Sequence, residues 1–341
     1  MSNQAAWLDG KGEKFRVDQS DIPLPGPNDI VIHNHSIAIN PADWKIQALG
    51  AVWFREWPVV LGEDVAGVVH AVGENVSRFE KGDRVVAHCV CLATNKPEDG
   101  GFQLFSRAPA SLTAKVPDNL SLTQASVLPT ALDTAGHGLY DSRDKGFLGL
   151  NYPTLSAAPP SDQIFLVWGA SSSTGALAIQ LATASGAQVI AVAGKHNLDF
   201  VRSLGATTAL DYNTPSVVDD IVEAIRSTTG HFAGVFDAIS TEASCKYVFP
   251  IAEKLGGCNV AMTLPPPTDV PSTVKVGNII AVNFDVNGPL WEKFVTPALG
   301  QGRLKPLPEP LIVGSRLEDV QLACNTNKAG VSAKKVVIQL Q

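Results

Sequence analysis

The sequence has few cysteines, no long apolar run and no excess of positive charge. Its five cysteines are scattered among 341 residues and odd in number, so they form no disulfide framework and fit a reducing compartment. No apolar segment approaches the roughly 18 residues of a membrane-spanning helix, and the N-terminal residues contain no apolar signal core. The net charge of −7 argues against nucleic-acid or anionic-membrane partners. We therefore expect a soluble, cytoplasmic protein.

An apolar run in Phe165–Leu177 breaks into a loop of small residues, and a helical pattern follows at once. This order predicts a strand, a tight loop and a helix N-terminus, whose N–H groups and dipole favour a bound phosphate. The glycine fingerprint of such loops is reduced, because only its last glycine is present. A plain strand–helix turn is the alternative. The candidate cofactor-binding residues of the loop are Gly169, Ala170, Ser171, Ser172, Ser173, Thr174 and Gly175.

A second buried strand, Gln188–Gly194, and a helix, Leu198–Leu204, complete a βαβ unit of about 30 residues. A site that prefers NAD places Asp or Glu roughly 20 residues after the loop, where it binds the ribose 2′-hydroxyl. Here no carboxylate follows the strand; Lys195, His196 and Asn197 do. This composition favours a 2′-phosphate and hence NADPH, with Lys195 and Asn197 as binding residues. A solvated loop lysine is the alternative.

The chain divides by texture into a β-rich part and a part that alternates strands and helices. Residues 1–125 contain short strands and turns, whereas residues 126–302 contain about six strands with helices between them. The last strand, Lys334–Leu340, is expected to return to the first domain, so that residues 303–341 join 1–125. We expect Lys145–Asp162 to be a surface loop beside an interdomain cleft. The predicted strands of the second part are the apolar run that opens Phe165–Leu177 and the segments Gln188–Gly194, Thr208–Asp211, Gly234–Ser240, Cys258–Leu264 and Val276–Phe284.

Short motifs along almost the whole chain resemble the medium-chain dehydrogenase/reductase superfamily. They include Ile39–Asp43, Leu61–Val69, Lys81–Val85 and the loop before Gly175, in family order. The resemblance is greatest to the zinc-independent quinone reductase and enoyl reductase branch, and within it to fungal enoyl reductases that act in trans beside polyketide synthases. It implies an α/β protein with a GroES-like catalytic domain and a Rossmann cofactor domain containing a doubly wound parallel sheet.

The resemblance also predicts that no metal is bound. Zinc-dependent members have a cysteine where this chain has Asn40 or Pro41, and a histidine in a Gly-His-Glu motif that reads Gly62-Glu63-Asp64 here. Carboxylates alone rarely hold zinc. The zinc-dependent members also carry four closely spaced cysteines, whereas this chain has only Cys89 and Cys91 in the comparable region. His33 and His35 alternate along a strand, which favours a solvated sheet face over a chelate.

Reduction of an activated C=C bond leaves an enolate that needs a hydrogen-bond donor or cation. Asn40 and Pro41 predict the start of a short helix that carries Lys45. The resemblance implies that Lys45 is an active-site residue, and that Thr134 faces the nicotinamide carboxamide or the substrate carbonyl. The alternatives are an exposed helix lysine and a threonine bonded to its own helix. His137, three residues after Thr134, is either a proton donor or a histidine satisfied within the helix.

Several aromatic residues are further candidates. Trp53, Phe54 and Trp57 either line an acyl pocket or pack in the core, while Tyr212 is similar to a tyrosine that flanks the adenosine phosphate in related enzymes. Asn283 and Phe284 are expected to end the last Rossmann strand near the nicotinamide, and Lys334 or Lys335 to reach the active site.

These features predict an NADPH-dependent, metal-free enoyl reductase. Its substrate would be a small enoyl compound, including a carrier-protein thioester. The chain would be a monomer or homodimer. A quinone reductase and a non-catalytic cofactor-binding scaffold protein are the alternatives.

Overall fold

The computed structural model describes residues 2–50, 56–156 and 159–341. Contacts divide the chain into two compact units, one containing the residues up to Thr130 together with Trp291–Gln341, the other Ala131–Leu290. The boundaries predicted from the sequence lie at 125/126 and 302/303. No helix within the described ranges has the length and apolar character that a bilayer span requires.

The two units together contain the following strands and helices. The strands are β1 Asn3–Leu8, β2 Arg16–Ser20, β3 Asp29–Ala38, β4 Val59–Val60, β5 Asp64–Val72, β6 Arg84–His88, β7 Phe105–Pro109, β8 Thr113–Lys115, β9 Gln163–Trp168, β10 Gln188–Ala193, β11 Thr208–Asp211, β12 His231–Asp237, β13 Cys258–Met262, β14 Val274–Asn278, β15 Pro310–Gly314 and β16 Lys335–Gln339. The helices are α1 Pro41–Leu49, α2 Cys91–Thr94, α3 Leu122–Ala125, α4 Pro129–Tyr140, α5 Ser173–Ala184, α6 Leu198–Ser203, α7 Val217–Ser227, α8 Glu242–Lys254, α9 Phe284–Leu290, α10 Thr296–Gly300 and α11 Val320–Ala329.

The first unit is built around the long strand β3. The main sheet has the order β15-β16-β3-β5-β6-β8, and β7 pairs with β3 as well. β16 pairs antiparallel with β3, with Val337 opposite Ala38, so the prediction that the last strand returns to the first domain is confirmed. Buried aliphatic side chains of β3 and β5, such as Ile30, Ile32 and Val65, form the core. Apolar burial of this kind is what holds the sheet together.

The second unit contains a six-stranded parallel sheet of order β11-β10-β9-β12-β13-β14. This is the doubly wound arrangement, and its order reverses between β9 and β12. The central strands β9 and β10 are nearly continuous apolar runs, as expected of strands that are buried on both faces. The predicted doubly wound parallel sheet is confirmed.

One local prediction was wrong, and a second is correct only in part. β14 ends at Asn278 and Phe284 begins helix α9, because the Asn283 side chain accepts the N–H of Val286 at 3.3 Å and starts a helix there. The segment Lys145–Asp162 is not simply a surface loop, because Phe147 and Leu148 are buried. Their apolar side chains gain more by packing beneath α4 than by remaining in water.

Candidate active site

The loop after β9 makes a tight turn at the start of helix α5. Gly169 has a positive φ of 71°, and its carbonyl oxygen accepts the Ser172 N–H at 3.0 Å. Ser172 is the N-cap residue of α5, and its Oγ accepts the N–H of Gly175 at 3.0 Å. A Cβ on Gly175 would collide with the Gly169 carbonyl oxygen and lie 2.8 Å from the Ala170 Cα. Close packing of helix against strand thus brings the first turn of α5, with its free N–H groups, to the carboxyl end of β9.

The end of β10 lies beside this loop. Asn197 is buried, and its Nδ2 donates to Ser171 Oγ at 3.2 Å, which ties the two segments together. Lys195 is exposed, and the half-exposed Tyr212 receives its position from a backbone hydrogen bond to the Ala193 carbonyl oxygen. The structure therefore brings the predicted loop residues and these three candidates to one region of the second unit. The remaining loop side chains are partly exposed: Ser171, Ser173 and Thr174.

The loop after β12 contains a buried carboxylate that the sequence analysis missed. Asp237 is fully buried, and its Oδ1 accepts the N–H groups of Ile239 and Ser240, both at 2.9 Å. Burial raises the pKa of Asp237, although these bonds and the Ser244 hydroxyl oppose the shift. These bonds hold Ile239 close to Gly169, so that a Cβ on Gly169 would lie only 2.5 Å from Ile239 Cγ1. A lone acid at the end of an apolar strand was the available signal.

An aromatic group lies at the carboxyl end of β9. Trp168 is buried and stacks on Tyr247, with ring centres 5.2 Å apart, and Tyr212 lies 6.5 Å away. Tyr247 was not identified from sequence because it lies within α8, where an aromatic residue is usually part of the core. The crevice beside these strands is where doubly wound sheets bind ligands. Together with the α5 N-terminus, these residues fit a dinucleotide.

Helix α4 carries Thr134, which is partly exposed between buried neighbours. His137 is buried, its Nε2 lies 3.2 Å from Asp141 Oδ2, and its Nδ1 lies 2.6 Å from the Ile280 carbonyl oxygen. These contacts favour the alternative in which His137 is satisfied within its own unit. They leave Thr134 as the candidate on this helix.

Helix α1 begins as its sequence predicts. Asn40 is the N-cap residue, Pro41 occupies the first turn, and the Asp43 carboxylate accepts the Asn40 N–H at 2.7 Å. Lys45 is partly buried, with Nζ 5.7 Å from the centre of the Trp44 ring.

The tail helix α11 brings a second cation to the same indole. Lys328 Nζ lies 5.8 Å from the Trp44 ring centre, and Trp44 Nε1 donates to Asn327 Oδ1 at 3.0 Å. Trp57 is partly buried against the core of the first unit, which favours the packing alternative. The other two aromatic candidates, Trp53 and Phe54, lie outside the described residues.

A buried ion pair occupies the region of the Gly62-Glu63-Asp64 motif. Lys335 Nζ lies 2.8 Å from Asp64 Oδ2, and both residues are buried, whereas Lys334 is exposed. Burial alone would raise the pKa of Asp64, but the Lys335 ammonium and the Thr130 hydroxyl outweigh it, so that this pKa is lowered. The carboxylate is therefore ionised and already neutralised by a cation of the chain.

These donors do not fit zinc. Cys89 and Cys91 are both buried, and burial raises the pKa of each thiol well above its ordinary value. Asp64 is neutralised by Lys335, and Glu63 Oε1 faces His88 Nε2 at 3.7 Å. Within residues 2–50, 56–156 and 159–341, no group of three His, Cys, Asp or Glu side chains could hold a metal ion.

Asp43 should make stability depend on pH. Burial, the largest cause, raises the pKa of Asp43 to about 8, with Glu63 and Asp64 adding to the shift and Lys335 opposing it. Between about pH 4 and about pH 8 the folded state keeps a proton on Asp43 that the unfolded state has already lost. The free energy of unfolding therefore falls as the pH rises through this range.

The isosteric change Asp43→Asn removes this titration and keeps an oxygen to accept the Asn40 N–H. We expect the difference in Tm between the variant and wild type to be larger at about pH 9 than at about pH 5, by at least about 2 °C in favour of the variant. Thermal unfolding at several pH values measures it. A constant difference would contradict the assignment.

Comparison with known proteins agrees with this architecture. Residues 26–118 match the alcohol dehydrogenase GroES-like domain, and residues 174–297 match the zinc-binding dehydrogenase family. The chain is 42% identical to the dehydrogenase orsE of Emericella nidulans, with 99% of each chain covered. It is 37% identical to the trans-enoyl reductase himH of Aspergillus japonicus, covering 100% of this chain and 98% of that one.

Solved structures share the fold. An alcohol dehydrogenase superfamily protein from Novosphingobium aromaticivorans superimposes with a TM-score of 0.80 at 23% identity, covering 99% of this chain and 100% of that one. The CurK enoyl reductase does so with a TM-score of 0.73 at 18% identity, covering 99% of each. The chain belongs to the medium-chain dehydrogenase/reductase superfamily. It is an oxidoreductase, and its family and Rossmann-type fold imply a nicotinamide cofactor.

Proposed function

We propose that this chain is an NADPH-dependent, metal-free reductase of α,β-unsaturated carbonyl compounds, with a CoA or carrier-protein thioester as substrate. The observation that carries the proposal is the whole-length similarity to a trans-enoyl reductase. The ion pair between Asp64 and Lys335 supports a reaction without a metal, because the Asp64 carboxylate is already neutralised by a cation of the chain. Groups of the chain itself would then have to stabilise the charge on the substrate.

Residues of the second unit would hold the cofactor, which supplies the hydride when bound. The loop Gly169–Gly175 and the α5 N-terminus would bind the pyrophosphate. Lys195, Asn197 and Tyr212 would bind the adenosine 2′-phosphate, since no carboxylate follows β10 to take a 2′-hydroxyl. Phe284, half-exposed at the start of α9, stays a candidate for the nicotinamide end.

Two side chains would act on the substrate. Hydride transfer to the β-carbon moves charge to the carbonyl oxygen, and the Lys45 ammonium would stabilise this enolate. Thr134 would donate a hydrogen bond to the substrate carbonyl or accept one from the nicotinamide carboxamide.

Oxidation of NADPH tests the proposal directly. Purified protein is assayed with a crotonyl thioester, with a quinone, and with no acceptor. We expect turnover with the thioester above the other two. Preferred turnover of the quinone would identify a quinone reductase, and NADPH binding with no turnover would identify a cofactor-binding scaffold; either result contradicts the proposal.

NADPH should bind at least tenfold more tightly than NADH, which corresponds to ~1.4 kcal/mol. A charge-assisted contact between Lys195 and the 2′-phosphate provides the difference. Fluorescence titration with both cofactors measures the two Kd values. Lys195→Ala should bring them together, while Lys334→Ala, an exposed lysine of the first unit, serves as the control. Equal Kd values for the wild type would refute this assignment.

We also expect purified protein to contain no stoichiometric zinc and to keep its activity with chelators, because its donors at Asn40, Glu63 and Asp64 do not suit this ion. Elemental analysis measures the metal content. About one zinc per chain, together with inhibition by a chelator, would overturn this expectation.

A further inference from the structure

The buried ion pair of the first unit is part of a closed ring of four side chains. Lys335 Nζ donates to Asn40 Oδ1 at 2.5 Å, and Asn40 Nδ2 donates to Thr130 Oγ1 at 3.2 Å. Thr130 Oγ1 then donates to Asp64 Oδ1 at 2.5 Å, while Asp64 Oδ2 meets the Lys335 ammonium. The Thr130 N–H adds a second bond to Asp64 Oδ1 at 2.7 Å.

Stability alone does not explain this ring. Lys335 and Asp64 are respectively 3% and 0% exposed, and desolvating such a pair costs about as much as its attraction returns. What the ring does provide is direction. The Lys335 ammonium can only donate, so the Asn40 amide turns its oxygen toward Lys335 and its nitrogen toward Thr130. Thr130 Oγ1 accepts from that nitrogen and therefore donates its own proton to Asp64.

The two neutral members of the ring lie at the beginnings of two helices. Asn40 is the N-cap residue of α1, on which Lys45 lies, and Thr130 lies in the first turn of α4, on which Thr134 follows four residues later. The two charged members lie on β16 and β5 of the main sheet. The ring thus anchors both helix starts to this sheet.

We propose that Lys335 and Asp64 are positioning residues, which fix the helix starts that carry Lys45 and Thr134. The proposal rests on the proposed function for its effect on turnover. In metal sites, residues that orient a ligand change affinity or activity 10- to 100-fold, and we expect an effect of the same order here.

Three variants test it. Lys335→Met removes the ammonium, and Lys335→Met with Asp64→Asn removes both charges while keeping an oxygen for Thr130. Lys334→Met changes the exposed neighbour as a control. We expect kcat for a crotonyl thioester to fall roughly 10- to 100-fold in the single and double variants, with the Kd for NADPH within about twofold. The control should match wild type.

The double variant separates positioning from stability. It has no unpaired buried charge, so its Tm should recover toward wild type while kcat stays low. Recovery of kcat together with Tm would overturn the proposal, as would a wild-type kcat in both variants. The double variant carries the test if Lys335→Met does not fold.

Hydrogen exchange gives a readout independent of turnover. Amides of Lys45–Gln47 should exchange at least about tenfold faster in the double variant but not in Lys334→Met, because the anchored helix start is lost. If wild type reduces no thioester, the proposed function fails, and unchanged exchange would separately refute the ring's role.

Discussion

Replacing Lys45 by alanine should lower kcat and kcat/KM together, by on the order of 10²–10³. The reason is that an ammonium facing the developing enolate acts mainly in the transition state, where the charge is largest. The affinity for NADPH should barely change, because the proposed pyrophosphate contacts come from the Gly169–Gly175 loop and not from Lys45. Steady-state kinetics with a crotonyl thioester and a separate NADPH titration measure both quantities.

The indole of Trp44 offers a matched control for this experiment. Lys45 and Lys328 place their ammonium groups at nearly the same distance from its ring, 5.7 and 5.8 Å. Lys328→Ala therefore removes a cation from the same aromatic side chain without touching the proposed catalytic position. It should keep kcat within about fivefold, since cation–π contacts at exposed sites are worth only about 0.5–1 kcal/mol.

A further variant tests the geometry of the cation. Lys45→Arg keeps the charge, but its planar fork does not replace a compact ammonium, so we expect poor recovery of kcat. If Lys45→Ala and Lys328→Ala both have small and similar effects, Lys45 is a surface lysine packed on Trp44. Thr134 would then remain as the candidate for stabilising the carbonyl oxygen.

Local sequence signals predicted those parts of the site that are local in the chain. Asn40, Pro41 and Asp43 are consecutive enough to define a helix start, and the structure has α1 beginning there. The Gly169–Gly175 loop is equally local, because β9, the small residues and α5 follow one another directly. In both cases capping and strand periodicity act within a few residues.

The ring around Asp64 could not be predicted in this way. Its members come from positions 40, 64, 130 and 335, and they meet only because β16 pairs with β3 and β3 with β5. Lys334 and Lys335 are equal candidates in the sequence, because neighbouring residues on a strand point to opposite faces and the pattern does not say which face is inside. The acid in the apolar strand β5 was the signal that a buried cation was needed.

The wrong prediction for Phe284 has a similar cause. The apolar residues after β14 look like a continuing strand, but a single side-chain bond from Val286 N–H to Asn283 Oδ1 starts a helix instead. A capping contact of this strength competes well with β propensity, which depends strongly on neighbouring strands. At the edge strand β14 one side has no neighbour in the described sheet, so the capping contact prevails.

Gly175→Ala should weaken NADPH binding by roughly 5- to 150-fold, the range that corresponds to about 1–3 kcal/mol of overpacking. The new methyl group would meet the Gly169 carbonyl oxygen and the Ala170 backbone, and neither can move as a flexible side chain would. Helix α5 must then shift away from β9, which withdraws its first-turn donors from the pyrophosphate.

Gly288→Ala is the matched control, because it is another helical glycine of the second unit and a Cβ there would meet nothing within 4 Å. We expect it to leave the Kd for NADPH within about twofold and to raise stability slightly, since alanine is the better helix former. Fluorescence titration with both variants and with wild type measures the effect, and the Tm of each variant shows whether it is folded. If Gly175→Ala binds NADPH as tightly as wild type, the α5 N-terminus is not the pyrophosphate site, and the strand–helix turn at Gly169–Gly175 serves packing alone.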